Sequence, residues 1–190
     1  MPTNPSRPVP PRKGPPAGRA RSITVAIRAI VVPALRQRAF DGKLPHLRRV
    51  GAEGTSTFAL QISKWGGEFI IELGRVAAGP YRTLAGEVID AAELTSFHLR
   101  LADRARLRAV PRVLQTVWFR YAPTTVERVQ AAAGRLLGKP APMSSFERAA
   151  HQVLALLPEC DRWWAGENGL PHVRSYAEQE RAQDEGAARR

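Results

Sequence analysis

The spacing of the hydrophobic residues changes at Gly42. From Ser22 to Phe40 apolar side chains recur at three- and four-residue steps, the spacing of an amphipathic helix. Ser22 is a suitable N-cap, and Pro33, which has no N–H to donate, predicts a kink or a restart in this helix. After Gly42 the apolar residues recur at every second position, which predicts strands.

Five segments carry this alternation, and the middle ones form the clearest pair. The glycines of the 64–67 linker supply the positive φ angles of a tight turn, so 57–63 and 67–76 are predicted to form a hairpin. The other predicted strands are 47–50, 94–101 and 116–121. The stretch 103–110 alternates arginine with alanine and leucine, but its composition also suits a helix, and the pattern leaves both open.

Two helices with capping boxes follow the predicted strands. Thr124 with Glu127 and Ser144 with Glu147 place a hydroxyl at the N-cap and a carboxylate three residues later. The second helix is expected to end at Pro158. The chain is therefore predicted to be α+β, with an N-terminal helix, an antiparallel sheet of about four or five strands, and C-terminal helices packed on one face.

Composition divides the chain into an arm, a domain and a tail. Residues 1–21 are rich in proline and basic groups and lack aromatic residues, which predicts a disordered basic arm. Residues 22–170 are interpreted as one α+β domain, a size that suits the 190-residue chain. Residues 171–190 balance four positive with four negative groups and are expected to form a flexible charged tail.

Charge and cysteine content narrow the function classes. The net charge is +12, and the first 40 residues hold eight positive groups before the first acidic residue, Asp41. This excess favours an acidic protein partner or a nucleic acid. The single Cys160 excludes an internal disulfide and a thiolate zinc site, and we predict no metal and no cofactor. Apolar stretches fall short of the roughly 20 residues of a membrane span, so we predict a cytoplasmic protein without membrane contact.

The order of these elements resembles the bacterial family catalogued as domain of unknown function 4304. The resemblance covers roughly residues 24–164. It is carried by 35–40 leading into 47–50, by 58–74, and by the Phe97-His98-Leu99-Arg100-Leu101 segment. It implies a small α+β fold with a curved antiparallel sheet, and it implies no established activity. Some small domains of this kind resemble immunity proteins encoded beside secreted toxins, which is an analogy only.

The polar face of the predicted sheet is the first candidate site. Alternation places Gln61, Glu72, His98 and Arg100 on the face opposite the helices. One interpretation makes His98 a general acid or base oriented by Glu72, with Arg100 holding an anion. The other is a solvated face on which Glu72 and Arg100 form a cross-strand ion pair.

Arginines and tryptophans supply two further candidate surfaces. Arg104, Arg106, Arg108 and Arg112 form a basic strip in either a helix or a strand, and the strip could neutralise phosphates together with the N-terminal arm. The aromatic patch, if its rings are exposed together, would be a protein interface. Its members are Trp65, Trp118, Trp163 and Trp164.

These observations rank three functions. The leading interpretation is a binding module, without enzymatic activity, for a protein with an acidic surface, similar to a toxin-immunity protein. The alternative is nucleic-acid or polyanion binding through the arm and the basic strip. The third is a hydrolase-type enzyme that uses His98 and Glu72.

Overall fold

The computed structural model describes residues 17–111, 118–122, 125, 129, 143–178 and 181. Its two long helices are α1, Ala17–Gln37, and α2, Ser145–Trp164. A short 3-10 helix spans Leu101–Asp103. The strands are β1 Asp41–Lys43, β2 His46–Gly51, β3 Gly54–Ile62, β4 Glu68–Val76, β5 Tyr81–Arg82, β6 Val88–Ile89, β7 Arg104–Leu107, β8 Phe119–Arg120 and β9 Val173–Ser175.

An open antiparallel sheet forms the centre of the fold. Its strands follow the order β1-β2-β3-β4-β7-β9, and β8 pairs with the start of β4. Strands β5 and β6 form a separate two-stranded ribbon. The predicted α+β class, with an N-terminal helix and a C-terminal helix around an antiparallel sheet, is confirmed.

One face of the sheet, which we call the helix face, packs against α1 and α2. Alternate strand residues point to this face because side chains alternate along a strand. Apolar residues of both helices and of the strands meet there in one buried cluster. Its largest members include Trp163, Phe40, Phe58, Phe69 and Phe119.

The predicted hairpin is confirmed as β3 and β4. Eight residue pairs align from Thr55 with Val76 to Ile62 with Phe69. The Ser63 N–H donates to the Glu68 carbonyl over 3.0 Å and closes the turn. Gly66 and Gly67 have φ angles of 72° and 83°, which a side chain at either position would disfavour.

Neither proline ends its helix. Pro33 lies inside α1, which continues to Gln37, and Pro158 lies inside α2, which continues to Trp164. The predicted end of the second helix at Pro158 is therefore wrong. Both prolines are exposed, and the buried side chains beyond Pro158 keep α2 on the core despite the missing hydrogen bond. The predicted Ser144–Glu147 capping box is present.

The predicted strand at 94–101 is wrong. The chain turns there, since the His98 N–H donates to the Thr95 carbonyl over 3.1 Å. Residues 77–103, which we call the covering segment, place Leu99 over the sheet face opposite the helices. Leu99 fits against Gly74, where any Cβ would overlap the Leu99 methyl and the Thr57 hydroxyl. The alternation at 94–101 therefore reflects a loop with one anchoring leucine.

The remaining predictions divide between strand and undescribed chain. Within 103–110 the extended alternative is observed, since β7 lies between β4 and β9 and donates to both. Of the predicted strand 116–121, Phe119–Arg120 forms β8 and residues 116–117 lie outside the described residues. The Thr124–Glu127 capping box also lies outside them.

Two predicted boundaries differ from the structure. Helix α1 begins at Ala17, inside the predicted arm 1–21. Strand β9 pairs with β7, so the start of the predicted tail 171–190 belongs to the sheet. A three-residue strand gives too short a pattern to be recognised without its partner.

Candidate functional site

The second face of the sheet, opposite the helices, carries a row of side chains across five strands. The register aligns His46, Ala59, Glu72, Arg106 and Arg174. The covering segment lies over the β2 and β3 end of the row, where the rings of His46 and Phe97 are 5.2 Å apart. The other end holds the charged groups, and we examine it as the candidate site.

Glu72 is the centre of these charged groups. Its side chain is only 1% exposed. The Arg106 Nε donates to it over 3.2 Å, the Tyr176 hydroxyl donates over 2.9 Å, and Arg104 forms an ion pair with its second oxygen. A buried carboxylate is stable only when it is paired and hydrogen-bonded, and these three partners meet that need.

Tyr176 holds the two arginines from the other side. The guanidinium carbons of Arg104 and Arg106 lie 5.4 and 5.1 Å from the centre of its ring, within the range of cation–π attraction. Burial, and then the negative charge of Glu72, raise the pKa of Tyr176 to about 12. The hydroxyl therefore stays protonated at neutral pH and keeps donating to Glu72. We call Glu72, Arg104, Arg106, Arg174 and Tyr176 the arginine cluster.

Arg174 adds a charge that no neighbouring carboxylate balances. It lies directly opposite Arg106 in the β7–β9 ladder, and like charges in that position repel. In the part of the chain that the structure describes, no side-chain hydrogen bond or ion pair is found for Arg174. The cluster thus sets three guanidinium groups against one carboxylate.

The sequence placed Arg174 and Tyr176 in a flexible tail and therefore missed them. A signal was present, because Ser175 and Glu178 have the same spacing as the other capping boxes. In the structure the Ser175 N–H donates to the Glu178 carboxylate over 3.1 Å and the Glu178 N–H to the Ser175 hydroxyl over 3.2 Å. This box turns the chain after β9 and directs it across the cluster.

The predicted basic strip is extended but mostly not accessible. The side chains of Arg104 and Arg106 are 14% and 35% exposed, and Arg108 is 1% exposed. Arg112 lies outside the described residues. Accessible positive charge on β7 therefore comes mainly from Arg106.

The predicted quartet of Gln61, Glu72, His98 and Arg100 does not form one site. Gln61 is exposed on β3, and Glu72 bonds to the arginine cluster instead. His98 Nδ1 accepts a hydrogen bond from the Thr95 N–H over 3.2 Å within the covering segment. Arg100 has an exposed side chain beside the same segment. Glu72 therefore does not orient His98, and the predicted cross-strand pair with Arg100 is replaced by Arg104 and Arg106.

The predicted aromatic patch is split between two places. Trp163 and Trp164 are buried in the core at the end of α2. Trp65 is 59% exposed in the β3–β4 turn, and Lys64 Nζ lies 4.9 Å from its ring centre. Trp118 is half-buried just before β8. Only Trp65 and Trp118 remain as surface aromatics.

Other chemistry is limited within the described ranges. Cys160 is buried, and burial with the charges of Asp161 and Glu159 raises the pKa of its thiol, which opposes a nucleophilic role. No group of three or more potential metal ligands is found there. None of the helices described is long and apolar enough to cross a membrane.

Comparison of the chain with protein-family models, curated proteins and solved structures finds no match. The resemblance to domain of unknown function 4304 therefore stays a prediction that these comparisons do not test.

Proposed function

We propose that the protein is a binding module for a protein with an acidic surface, and that the arginine cluster is its contact site. The supporting observation is the uncompensated charge at the edge of the sheet. Arg106 and Arg174 face each other across β7 and β9, with only Glu72 to balance the cluster. A cytoplasmic location and a toxin-immunity-like role belong to the same proposal.

A local cost supports a binding role for these arginines. Opposed like charges destabilise an antiparallel pair, and real proteins break such rules most often at functional sites. Carboxylates of a partner would remove this repulsion. Arginine also fits the task geometrically, since its planar fork can donate two parallel bonds to one carboxylate.

Preorganisation is the second support. The Arg106 guanidinium is held by Glu72 and by the Tyr176 ring before any partner arrives. A side chain that is already ordered loses less entropy on binding, and an immobilised arginine otherwise costs about 0.5–1.5 kcal/mol. The Glu72 carboxylate accordingly acts as the support of the cation and not as its competitor.

Calorimetric titration of the full chain with a glutamate-rich peptide tests the proposal. We expect saturable binding at 50 mM salt that weakens at 300 mM salt, and an affinity roughly three- to tenfold lower for Arg174→Ala. The matched control is Arg28→Ala, which removes the same charge from the exposed side of α1 and should leave the affinity unchanged. Equal losses for both variants, or no binding at 50 mM salt, would contradict the proposal.

Nucleic-acid binding is the second candidate, favoured by the eight positive groups in the first 40 residues. Labelled DNA and RNA, single- and double-stranded, should then bind with a steep dependence on salt. Tighter binding to a nucleic acid than to the peptide, reduced by deleting residues 1–16, would favour this alternative. A flat salt dependence would remove it.

A further inference from the structure

A cleft lies on the helix face at the end of the sheet, away from the arginine cluster. It is bounded by the β2–β3 turn, the end of β4 and the last turn of α2, and its cavity volume is about 370 Å³. Arg49, Ser56 and Arg75 line it from the strands, and Asp161 and Trp164 line it from α2. No predicted site included the strand residues.

Arg49 is fixed in this cleft by three neighbours. Its Nη2 donates to the Ser56 hydroxyl over 3.2 Å. Its guanidinium carbon lies 5.2 Å from the ring centre of Phe40 and 5.7 Å from that of Trp164. Stacking leaves the edge of a guanidinium as the part that can still donate hydrogen bonds.

Arg75 is fixed in a similar way on the neighbouring strand. Its guanidinium carbon lies 4.6 Å from the ring centre of Trp163, and it donates to the Trp163 carbonyl and, over 3.0 Å, to the Asn168 side chain. Burial lowers the pKa of Arg75, which means that its charge is partly desolvated. Within the described residues neither Arg49 nor Arg75 forms an ion pair with a carboxylate.

The sheet register brings both arginines around one point. Arg49, Ser56 and Arg75 align across β2, β3 and β4 and point to the same face. Neighbouring strands lie about 4.8 Å apart, so the two arginine backbones are about 10 Å apart and both side chains can reach a ligand above Ser56.

The other groups of the cleft favour a negatively charged ligand. Asp161 is already paired with Arg38 over 2.8 Å and cannot neutralise Arg49 or Arg75. Trp164 has a buried indole N–H, and Thr55 a buried hydroxyl, for which no hydrogen-bond partner is found among the described residues. Both residues line the cleft, so unused donors accompany the two cations.

We propose that this cleft binds a small organic molecule through a doubly charged oxyanion group, as in a phosphate monoester or a dicarboxylate. The two stacked arginines and the Ser56 hydroxyl hold the oxyanion, and Trp164 contacts the rest of the molecule. The site is independent of the arginine cluster.

Calorimetry and NMR with phenyl phosphate, inorganic phosphate and succinate test this site. We expect saturable binding by at least one probe, with a shift of the Trp164 indole N–H resonance. The affinity should fall roughly tenfold or more in Arg49→Ala and Arg75→Ala. Preference for phenyl phosphate would identify a phosphate ligand, and preference for succinate would identify a dicarboxylate.

The controls separate this site from the proposed function. Arg174→Ala should leave probe binding unchanged, and Arg49→Ala should leave binding of the glutamate-rich peptide unchanged. Arg49→Lys and Ser56→Ala are milder variants in case Arg49→Ala fails to fold, and both should weaken probe binding. Absence of binding by all three probes at millimolar concentration, wild-type affinity in Arg49→Lys and Ser56→Ala, or an equal loss in Arg174→Ala would overturn the proposal.

Discussion

The two faces of the sheet are buried in different ways. On the helix face, α1 and α2 cover apolar side chains such as Phe58 and Leu73, and their burial needs no specific partner. On the second face, Glu72 is equally buried but is stable only because two arginines and a tyrosine surround it. The helix face thus depends on packed volume, and the second face depends on the identity of individual partners.

Adjacent substitutions on β4 should separate the two kinds of burial, with the largest effects in the molecule. Leu73→Ala should lower the free energy of unfolding by about 2–5 kcal/mol through a lost side chain and a cavity. Glu72→Gln should lower it by about 3 kcal/mol, because two guanidinium groups lose their carboxylate. Urea unfolding at low and high salt distinguishes them, since salt should reduce only the Glu72 effect by screening the remaining repulsion.

The control for this pair is Glu87→Gln on the exposed part of the covering segment, expected within about 0.5 kcal/mol of wild type. A Glu72→Gln variant as stable as this control would contradict the interpretation of Glu72 as a buried, partner-dependent group.

Gly74→Ala should disturb the second face and leave the helix face intact. A Cβ there would overlap Leu99, so we expect a loss of about 1–3 kcal/mol and faster proteolysis within residues 77–98. The double variant with Leu99→Ala should recover part of the stability, because the smaller side chain makes room. Additive losses in the double variant would show that Leu99 does not hold the covering segment at this point.

The two capping boxes allow a smaller comparison. Ser144→Ala should cost about 1 kcal/mol by exposing the N-terminus of α2, and should leave the arginine cluster unchanged. Ser175→Ala should cost a similar amount and also change the Tyr176 resonances, because its box directs Tyr176 across the cluster. Thermal unfolding with NMR of the tyrosine rings measures both, and a Tyr176 shift in Ser144→Ala alone would contradict the separation of the two faces.

The smallest expected effect is the alkaline dependence of stability. The pKa of Tyr176 is about 12 in the folded chain and about 10 in an unfolded one. The unfolded chain therefore loses this proton first, and the stabilising contribution, complete below pH 10, should be lost as the pH rises towards 12. Urea unfolding from pH 9 to 12 should show a shallower decline for Tyr176→Phe than for wild type, and parallel curves would exclude the assigned role.

The helix face could be predicted from the sequence because its signal is local. The spacing of Ile23, Ile27, Val31 and Leu35 predicts α1, and the alternation in β3 and β4 with two turn glycines predicts the hairpin. The open choice at 103–110 was decided by pairing, since β7 is a strand because β4 and β9 flank it.

The second face could not be predicted in the same way because its contacts are distant in sequence. Glu72 and Tyr176 are 104 residues apart, and the partner of Glu72 was sought at His98 and Arg100 because an alternating segment was interpreted as a strand. The covering segment shows why this fails. A loop that buries Leu99 can alternate by chance, and only the contact with Gly74 reveals its role.

The central claim, that Arg106 and Arg174 form a supported surface for an acidic partner, is tested most directly by NMR of the arginine side chains. The Nε–H resonances of the full chain are followed during titration with the glutamate-rich peptide. We predict that Arg106 and Arg174 shift in a saturable way while Arg28 and Arg49 do not. Shifts spread equally over all exposed arginines, or confined to arginines outside the cluster, would contradict the claim.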